Sequence, residues 1–252
     1  MICLLPKDPL NIHARHILTH PAQKSWFCQI REICELYNLP TPLSLLQNPM
    51  SKDSFKKLVK TKVLDSWQDK LRKEAAPLDS LKYFKPGFMS LHRAHPLWTT
   101  AGCSPYETRK ATIQARMLSG RFRTEYLARH WSENKEVFCL APTCKNIIED
   151  IEHILVGCPA LKSARSRLVS LWETKSVSYP ILHQLITTIL VSSEESFCQF
   201  VLDPSVHPLT ISLNQKYGNQ ILKELFYLTR TWCFTVYKER MTLQGKWNLC
   251  LT

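Results

Sequence analysis

Four side chains within twenty residues constrain this chain more than anything else in it: Cys139, Cys144, His153 and Cys158, separated by four, eight and four residues. Three thiols and one imidazole are the number and kind of donors that close a tetrahedral zinc shell. The spacing predicts a knuckle in which Cys139-x4-Cys144 forms a loop over the metal, while His153 and Cys158 approach from a following helical turn. Zinc binding would offset the entropy of ordering so short a loop. Glu149-Asp-Ile-Glu152 leads into His153, so Glu149, Asp150 or Glu152 is placed to orient the imidazole, although acidic residues also favour the first turn of any helix. Ile151, Ile154 and Leu155 supply apolar contacts, and Pro159 redirects the chain. The competing reading is a cluster of buried cysteines and histidine without metal. With all four coordination places taken by protein, a zinc here keeps no position for a hydrolytic water.

Ten cysteines would otherwise invite a disulfide scaffold. The chain is long for that class, and its start, Met1-Ile-Cys-Leu-Leu-Pro-Lys-Asp, lacks the basic, apolar and cleavage segments of a secretory leader. Intracellular free thiols are therefore expected, with Cys28, Cys34, Cys198 and Cys233 buried in apolar patterns. No apolar run reaches the roughly 18 residues of a membrane span. A 44% hydrophobic content supports a substantial core. Lys and Arg number 33 against 21 Asp and Glu, a formal charge of +12 that favours a polyanionic partner or reflects a generally basic surface. Between Lys52 and Arg129 there are 17 basic and seven acidic side chains, so most of the excess precedes the cysteine module.

Periodicity places helices around that module. The stretch 25–37 reads as a helix with Trp26, Ile30, Ile33 and Tyr37 on its buried face, ended by Asn38-Leu-Pro-Thr-Pro42. A second helix at 52–75 carries Phe55, Val59, Val63, Trp67 and Leu71 as an apolar stripe, with Lys56, Lys57 and Lys60 on a positive face. Ser104, Pro105 and Glu107 spell a capping box opening a helix through Leu118. Gly120 permits a turn before 121–130, read as helical, where Phe122, Tyr126 and His130 share a face. Arg121, Arg123 and Arg129 then stand at water or approach phosphates. After the module, 162–172 is predicted helical, with Leu161, Leu168 and Trp172 inward and Arg165 and Arg167 on a positive edge. A shorter helix follows at 181–191, and 197–202 is expected to pack as a short helix or turn. The stretch 219–240 reads as a broad-faced core helix through Ile221, Leu225, Leu228, Trp232 and Val236, widened by Leu222, Phe226, Cys233 and Tyr237. Lys238 and Arg240 make a basic edge. Asn11–His20 reads as a turn or surface segment, and His92 and His95 as structural or hydrogen-bonding histidines.

The expected fold is mainly α, a compact helical assembly with a Cys-Cys-His-Cys zinc knuckle. Its expected parts are an N-terminal helical segment at 1–50, a basic helical platform at 51–130, the knuckle at 131–160 and a C-terminal helical region at 161–252 packed with the preceding segments. Phosphate loops, dinucleotide fingerprints, paired protease histidines, hydrolase elbows and kinase motifs are all missing from the sequence. Asp65 and Asp69 share a helical face without forming a two-metal site. No catalytic residue is nominated, and the chain is expected to be noncatalytic.

Trp67-Gln-Asp-Lys-Leu-Arg72, Met89-Ser-Leu-His92, His95-Pro-Leu-Trp98, Ala115-Arg-Met-Leu-Ser-Gly-Arg121, the four ligands and Leu228-Thr-Arg-Thr-Trp-Cys233 together resemble the C-terminal region of non-long-terminal-repeat retrotransposon proteins, downstream of the reverse-transcriptase palm. The resemblance covers most of the chain. It implies zinc at Cys139, Cys144, His153 and Cys158, RNA or DNA as partner, a separate reverse-transcriptase or endonuclease component, and a nuclear location. The polymerase's Tyr/Phe-x-Asp-Asp motif and recognisable palm are missing, so what it implies is a truncated or domesticated nucleic-acid-handling module. The side chains expected at phosphates are Lys56, Lys57, Lys60, Arg121, Arg123, Arg129, Arg165 and Arg167. The alternative is a zinc-stabilised structural or protein-interaction module.

Overall fold

The computed structural model describes residues 12, 15, 16, 26–85, 93–125, 137–177 and 180–250, except for the side chains of Phe27 and residues 246–250. Most of the segment 11–20, His92, Tyr126, Arg129 and His130 lie outside the described residues. The chain divides into two units, Met1–Glu74 and Ala75–Thr252.

In the first unit, α1 (Trp26–Leu36) ends in a turn where Asn38 takes a φ of 50°, a left-handed conformation that asparagine tolerates better than most residues. Thr41 then caps α2 (Pro42–Gln47): its Oγ1 accepts the Ser44 N–H at 3.2 Å and Pro42 occupies the first turn. This short helix was not foreseen, because the prolines read only as an interruption. The buried side chains of α1 include Cys28 and Cys34, whereas Trp26 and Ile33 from the expected apolar face are exposed. The lysine-rich α3 (Lys52–Ala75) starts at Ser51, whose Oγ accepts the Ser54 N–H. Its stripe is shallow: Phe55, Val59, Val63 and Leu71 are half-buried and Trp67 is exposed, with the Lys70 ammonium 4.9 Å from the indole centroid.

The second unit is built on its last helix. In chain order it comprises a 3-10 turn (Asp79–Leu81), α4 (Pro96–Thr99), α5 (Pro105–Leu118), the cysteine module, α6 (Lys162–Ser176), α7 (Pro180–Leu190), α8 (Glu194–Leu202), a 3-10 turn (Pro204–Val206), α9 (Pro208–Tyr217) and α10 (Asn219–Cys250). Helix α10 packs against α5, α6, α8 and α9, as its broad apolar face predicts. Leu225, Leu228, Trp232, Cys233 and Val236 are buried, and Leu222 and Phe226 join a smaller cluster with Leu97, Ala101 and Ala111. Trp172 of α6 meets Trp232 at a ring separation of 4.9 Å, and Phe197 of α8 lies 5.0 Å from Trp232. Burying rings of this size removes the largest apolar areas a residue can offer from water.

Helix α5 starts as expected, with the Ser104 hydroxyl accepting the Glu107 N–H. The capping box is only half made, because Glu107 turns to Lys110 at 2.7 Å and to the Arg230 guanidinium at 3.4 Å. The buried Arg230 also donates to the Thr100 hydroxyl and carbonyl, fastening the end of α4 to α10. At the other end of α5, Arg121 N–H reaches the Arg116 carbonyl across Gly120, whose φ is +64°. This is a Schellman-type stop. It corrects the expected helix at 121–130 over its first part: residues 121–124 are not helical, and exposed Arg121 and Arg123 alternate with buried Phe122 and Thr124. The two-residue period of burial follows the glycine stop, which turns the chain out of the helix into irregular backbone with a bend at Phe122.

Candidate metal centre

The module begins as a small hairpin. Phe138 and Ile148 form an antiparallel bridge, with hydrogen bonds from Cys139 N–H to the Ile147 carbonyl at 2.8 Å and from Glu149 N–H to the Val137 carbonyl at 2.9 Å. Inside it, Cys144 N–H donates to the Ala141 carbonyl and Ile147 N–H to that of Cys144, while Asn146 takes a φ of 58°. These tight turns bring Cys139 and Cys144 to one side of the loop. Asp150 next opens a helical turn by accepting the His153 N–H at 2.7 Å. The backbone from His153 to Gly157 widens to π geometry, and Cys158 N–H closes on the His153 carbonyl at 2.6 Å. The wide turn fits the five-residue step between the last two ligands, and such turns recur at functional sites.

The four donors meet. One ligand atom from each of Cys139, Cys144, His153 and Cys158 lies within 4.8 Å of all the others, and all four residues are buried. The Cys158 sulfur lies 3.9 Å from that of Cys139 and 3.6 Å from that of Cys144. Those separations exclude disulfides, whose sulfurs sit at about 2.05 Å. A tetrahedral zinc with Zn–S bonds of about 2.3 Å places its sulfurs about 3.8 Å apart. His153 Nε2 is buried without a hydrogen-bond partner among the described residues, as suits a nitrogen that coordinates metal. The residues therefore fit a single zinc ion.

Charge arrangement supports the fit. The Cys158 thiol is pulled down to about 4, first by the hydrogen bond from Cys139 and, against the cost of burial, by hydrogen bonds from His153, Cys144 and the Ala160 backbone. Cys139 is pushed up by its hydrogen bond to Cys158 and by burial, and Cys144 by burial and the same neighbour. Zinc held here would replace those shared protons, with all three sulfurs binding it as thiolates. Three thiolates and a neutral imidazole leave the zinc shell with one net negative charge. Arg165 answers it: Nη2 donates to the Cys158 carbonyl at 2.7 Å, and Nη1 is buried without a hydrogen bond. Burial lowers the Arg165 pKa, while the Cys158 and Cys144 charges work against that fall.

The module is continuous with the helical core. Cys139, Ala141, Cys144, Ile154, Leu155 and Cys158 belong to the same buried cluster as Trp172 and Trp232. Trp232 Nε1–H points at the Leu155 carbonyl at 3.4 Å. Of the three acids considered for orienting His153, Asp150 acts through the backbone. Glu152 instead accepts from Lys82 at 2.5 Å and from the Tyr83 hydroxyl. Glu149 is buried, pairs with Arg240 and accepts the Glu125 N–H at 3.1 Å. Arg240 is thus an interior anchor, not the basic edge expected of it. Sequence reasoning missed this pair because its partners are 91 residues apart.

The expected phosphate contacts that are described differ in their settings. Lys56, Lys57 and Lys60 are exposed on α3, and Arg121 and Arg123 are exposed beyond Gly120. Arg165 is turned into the metal module, and Arg167 reaches Glu239 at 3.5 Å. His95 has the structural role expected: Nδ1 accepts the Leu97 N–H, and Nε2 lies 3.2 Å from Asp203 Oδ2. Both ring nitrogens are engaged.

No helix among the described residues is long and apolar enough to cross a membrane. Comparison with protein-family models, curated proteins and solved structures found no match to this chain.

Proposed function

We propose that the chain is a zinc-stabilised structural module whose metal fastens a hairpin to a helical core and so shapes a surface for a macromolecular partner. One observation carries this reading: all four metal donors are buried, and their sulfurs belong to the same core cluster as Trp172 and Trp232. A closed, four-ligand site within a core supplies folding energy and offers no open coordination position for a reaction. We therefore read the chain as noncatalytic.

The test follows from how unevenly the ligands are held. His153 and Cys158 flank Ile154 and Leu155, which are 1% and 0% exposed, so packing fixes that half without metal. Cys139 and Cys144 sit on a hairpin whose Phe138, Ile147 and Ile148 are more than 40% exposed. Chelation should therefore abolish hydrogen-exchange protection of the Cys139, Cys144 and Ile147 amides first, with slow exchange retained along the middle of α10. Elemental analysis should return close to one zinc per chain. Protection of the hairpin unchanged after chelation, or protein containing no zinc, would refute the reading.

The second reading is a noncatalytic nucleic-acid-handling module of retrotransposon type, intracellular and working beside a separate polymerase or nuclease. Its support is the resemblance, the formal charge of +12 and the exposure of Arg121 and Arg123. Binding of RNA or DNA that weakens with salt tests it independently of zinc content.

A further inference from the structure

Beside the metal module, the end of α5, the irregular residues after it and the last third of α10 line a cavity of about 550 Å³. Four arginines line it: Arg116, Arg121, Arg123 and Arg240. Their circumstances differ. Arg240 is nearly buried, with a side chain 6% exposed, and its charge is held by Glu149 and, at 3.8 Å, by Glu125. Its Nε is buried without a hydrogen bond. Arg116, Arg121 and Arg123 are exposed and make no ion pair among the described residues, although Glu125 shares the lining and feels the Arg123 charge.

Four guanidinium groups against the carboxylates of Glu125 and Glu149 leave this concavity with an excess of positive charge, and the arrangement gains energy when an anion enters. A guanidinium binds phosphate through two parallel N–H donors, which a single lysine cannot do. Arg121 and Arg123 alternate with buried Phe122 and Thr124, a two-residue step that leaves both arginines exposed. That step presents two guanidinium groups in sequence along one edge, with Arg116 a helical turn behind. Half-buried Tyr237, whose ring meets Phe122 edge-on at 5.9 Å, adds an aromatic wall. A row of cations beside an aromatic face suits a chain of phosphates with bases attached better than a lone anion. Leu140, next to the ligand Cys139, completes the lining, so the metal module forms part of the wall.

We propose that this groove binds the phosphodiester backbone of single-stranded nucleic acid, with Arg116, Arg121 and Arg123 as phosphate contacts, Tyr237 as a stacking surface and Arg240 as the support beneath them. The assignment rests on the nucleic-acid reading above and names its site, adding Arg116 and Tyr237 and setting aside Arg165 and Arg167. Three phosphate contacts at about 0.7 each give a slope near −2 for log affinity against log salt, roughly a 20-fold loss between about 50 and 200 mM.

The experiment measures fluorescence anisotropy of labelled single-stranded RNA and DNA on zinc-replete full chain across that salt range. Combined Arg116→Gln, Arg121→Gln and Arg123→Gln should remove most of the slope and weaken binding at least tenfold at low salt, with zinc content and helicity unchanged. Combined Lys175→Gln, Lys216→Gln and Lys223→Gln, at exposed positions away from the groove lining, serves as the charge-matched control and should leave most of the binding intact. If the triple arginine variant fails to fold, Arg121→Glu alone, at an exposed turn position, should still weaken binding several-fold. The proposal is overturned if the folded triple variant keeps its slope, if the lysine control loses as much, or if zinc-replete protein binds phosphoinositide vesicles and neither oligonucleotide. Absence of oligonucleotide binding by protein with full zinc content would sink this site while leaving the structural zinc reading intact.

Discussion

Replacing Arg240 with methionine should destabilise the larger unit by about 3–5 kcal/mol, the cost of breaking a buried pair from one side. Glu149 is 1% exposed, and apart from Arg240 it has the Glu125 N–H at 3.1 Å as its hydrogen-bond donor among the described residues. Methionine keeps the aliphatic packing but leaves a carboxylate that must stay charged with one hydrogen bond or take up a proton. A domain is stable by about 5–15 kcal/mol, so the change should be plain in urea unfolding at neutral pH with zinc present. Glu149→Gln with Arg240→Met should recover more than about 1 kcal/mol, because the neutral amide still accepts the Glu125 N–H and leaves no buried charge. The exposed Arg167–Glu239 pair supplies the comparison, and Arg167→Met should cost less than about 1 kcal/mol. If Arg240→Met is no worse than Arg167→Met, or the double variant is as unstable as the single, the hairpin does not depend on this pair.

Other perturbations separate neighbouring effects. An alanine Cβ at Gly120 would lie 2.4 Å from the Ser80 carbonyl oxygen, whereas at Gly102, with a similar φ of +66°, it would meet nothing within 4 Å. Gly102→Ala should cost about 1–2 kcal/mol from its left-handed backbone and Gly120→Ala clearly more, read from unfolding midpoints; equal losses would deny the close approach of the 3-10 turn. Arg165→Met should speed zinc release to a thiol-alkylating reagent several-fold, followed with a chromogenic chelator, and an unchanged rate would mean the guanidinium does not shield the thiolates. Burial lowers the His207 pKa from 6.5. Its unfolded form therefore takes up a proton first as pH falls, so its stabilising contribution is complete above about pH 6.5 and declines below it. His207→Gln should accordingly lose less stability than the parent between about pH 7 and 5, and identical pH profiles would contradict the assignment.

The parts of the molecule legible in the sequence are those set by local chemistry. Ser104-Pro105 announced the start of α5, and the broad face of 219–240 announced its central place. The four-eight-four spacing announced the metal centre, because short loops limit where such donors can go. The chain after Gly120 was misread for an equally local reason. Phe122 and Tyr126 satisfy a helical period, but two-residue alternation of Arg121, Phe122, Arg123 and Thr124 fits the same letters, and only the Schellman stop decides between them. The apolar residues of α1 and α3 show a further limit, since periodicity gives a face but not the depth of its burial. Pairings such as Glu149 with Arg240 and Glu107 with Arg230 were invisible because nothing in either segment names the other.

Those long-range pairs change what the metal is for. A knuckle read from spacing alone is a self-contained loop around an ion, with its basic surroundings as a separate platform. Here zinc would hold the hairpin through Cys139 and Cys144, while Arg240 grips the residue that leaves it, Glu149, from α10. The two holds act on opposite ends of an element too small to bury its own apolar side chains, and each involves a charge that water would otherwise claim. Leu140 lies between them and lines the arginine groove with Tyr237 and Arg240. Zinc and the buried ion pair thus fix one wall of that groove against the helix forming another. Loss of either hold should disturb the groove even though neither the metal nor Glu149 lines it.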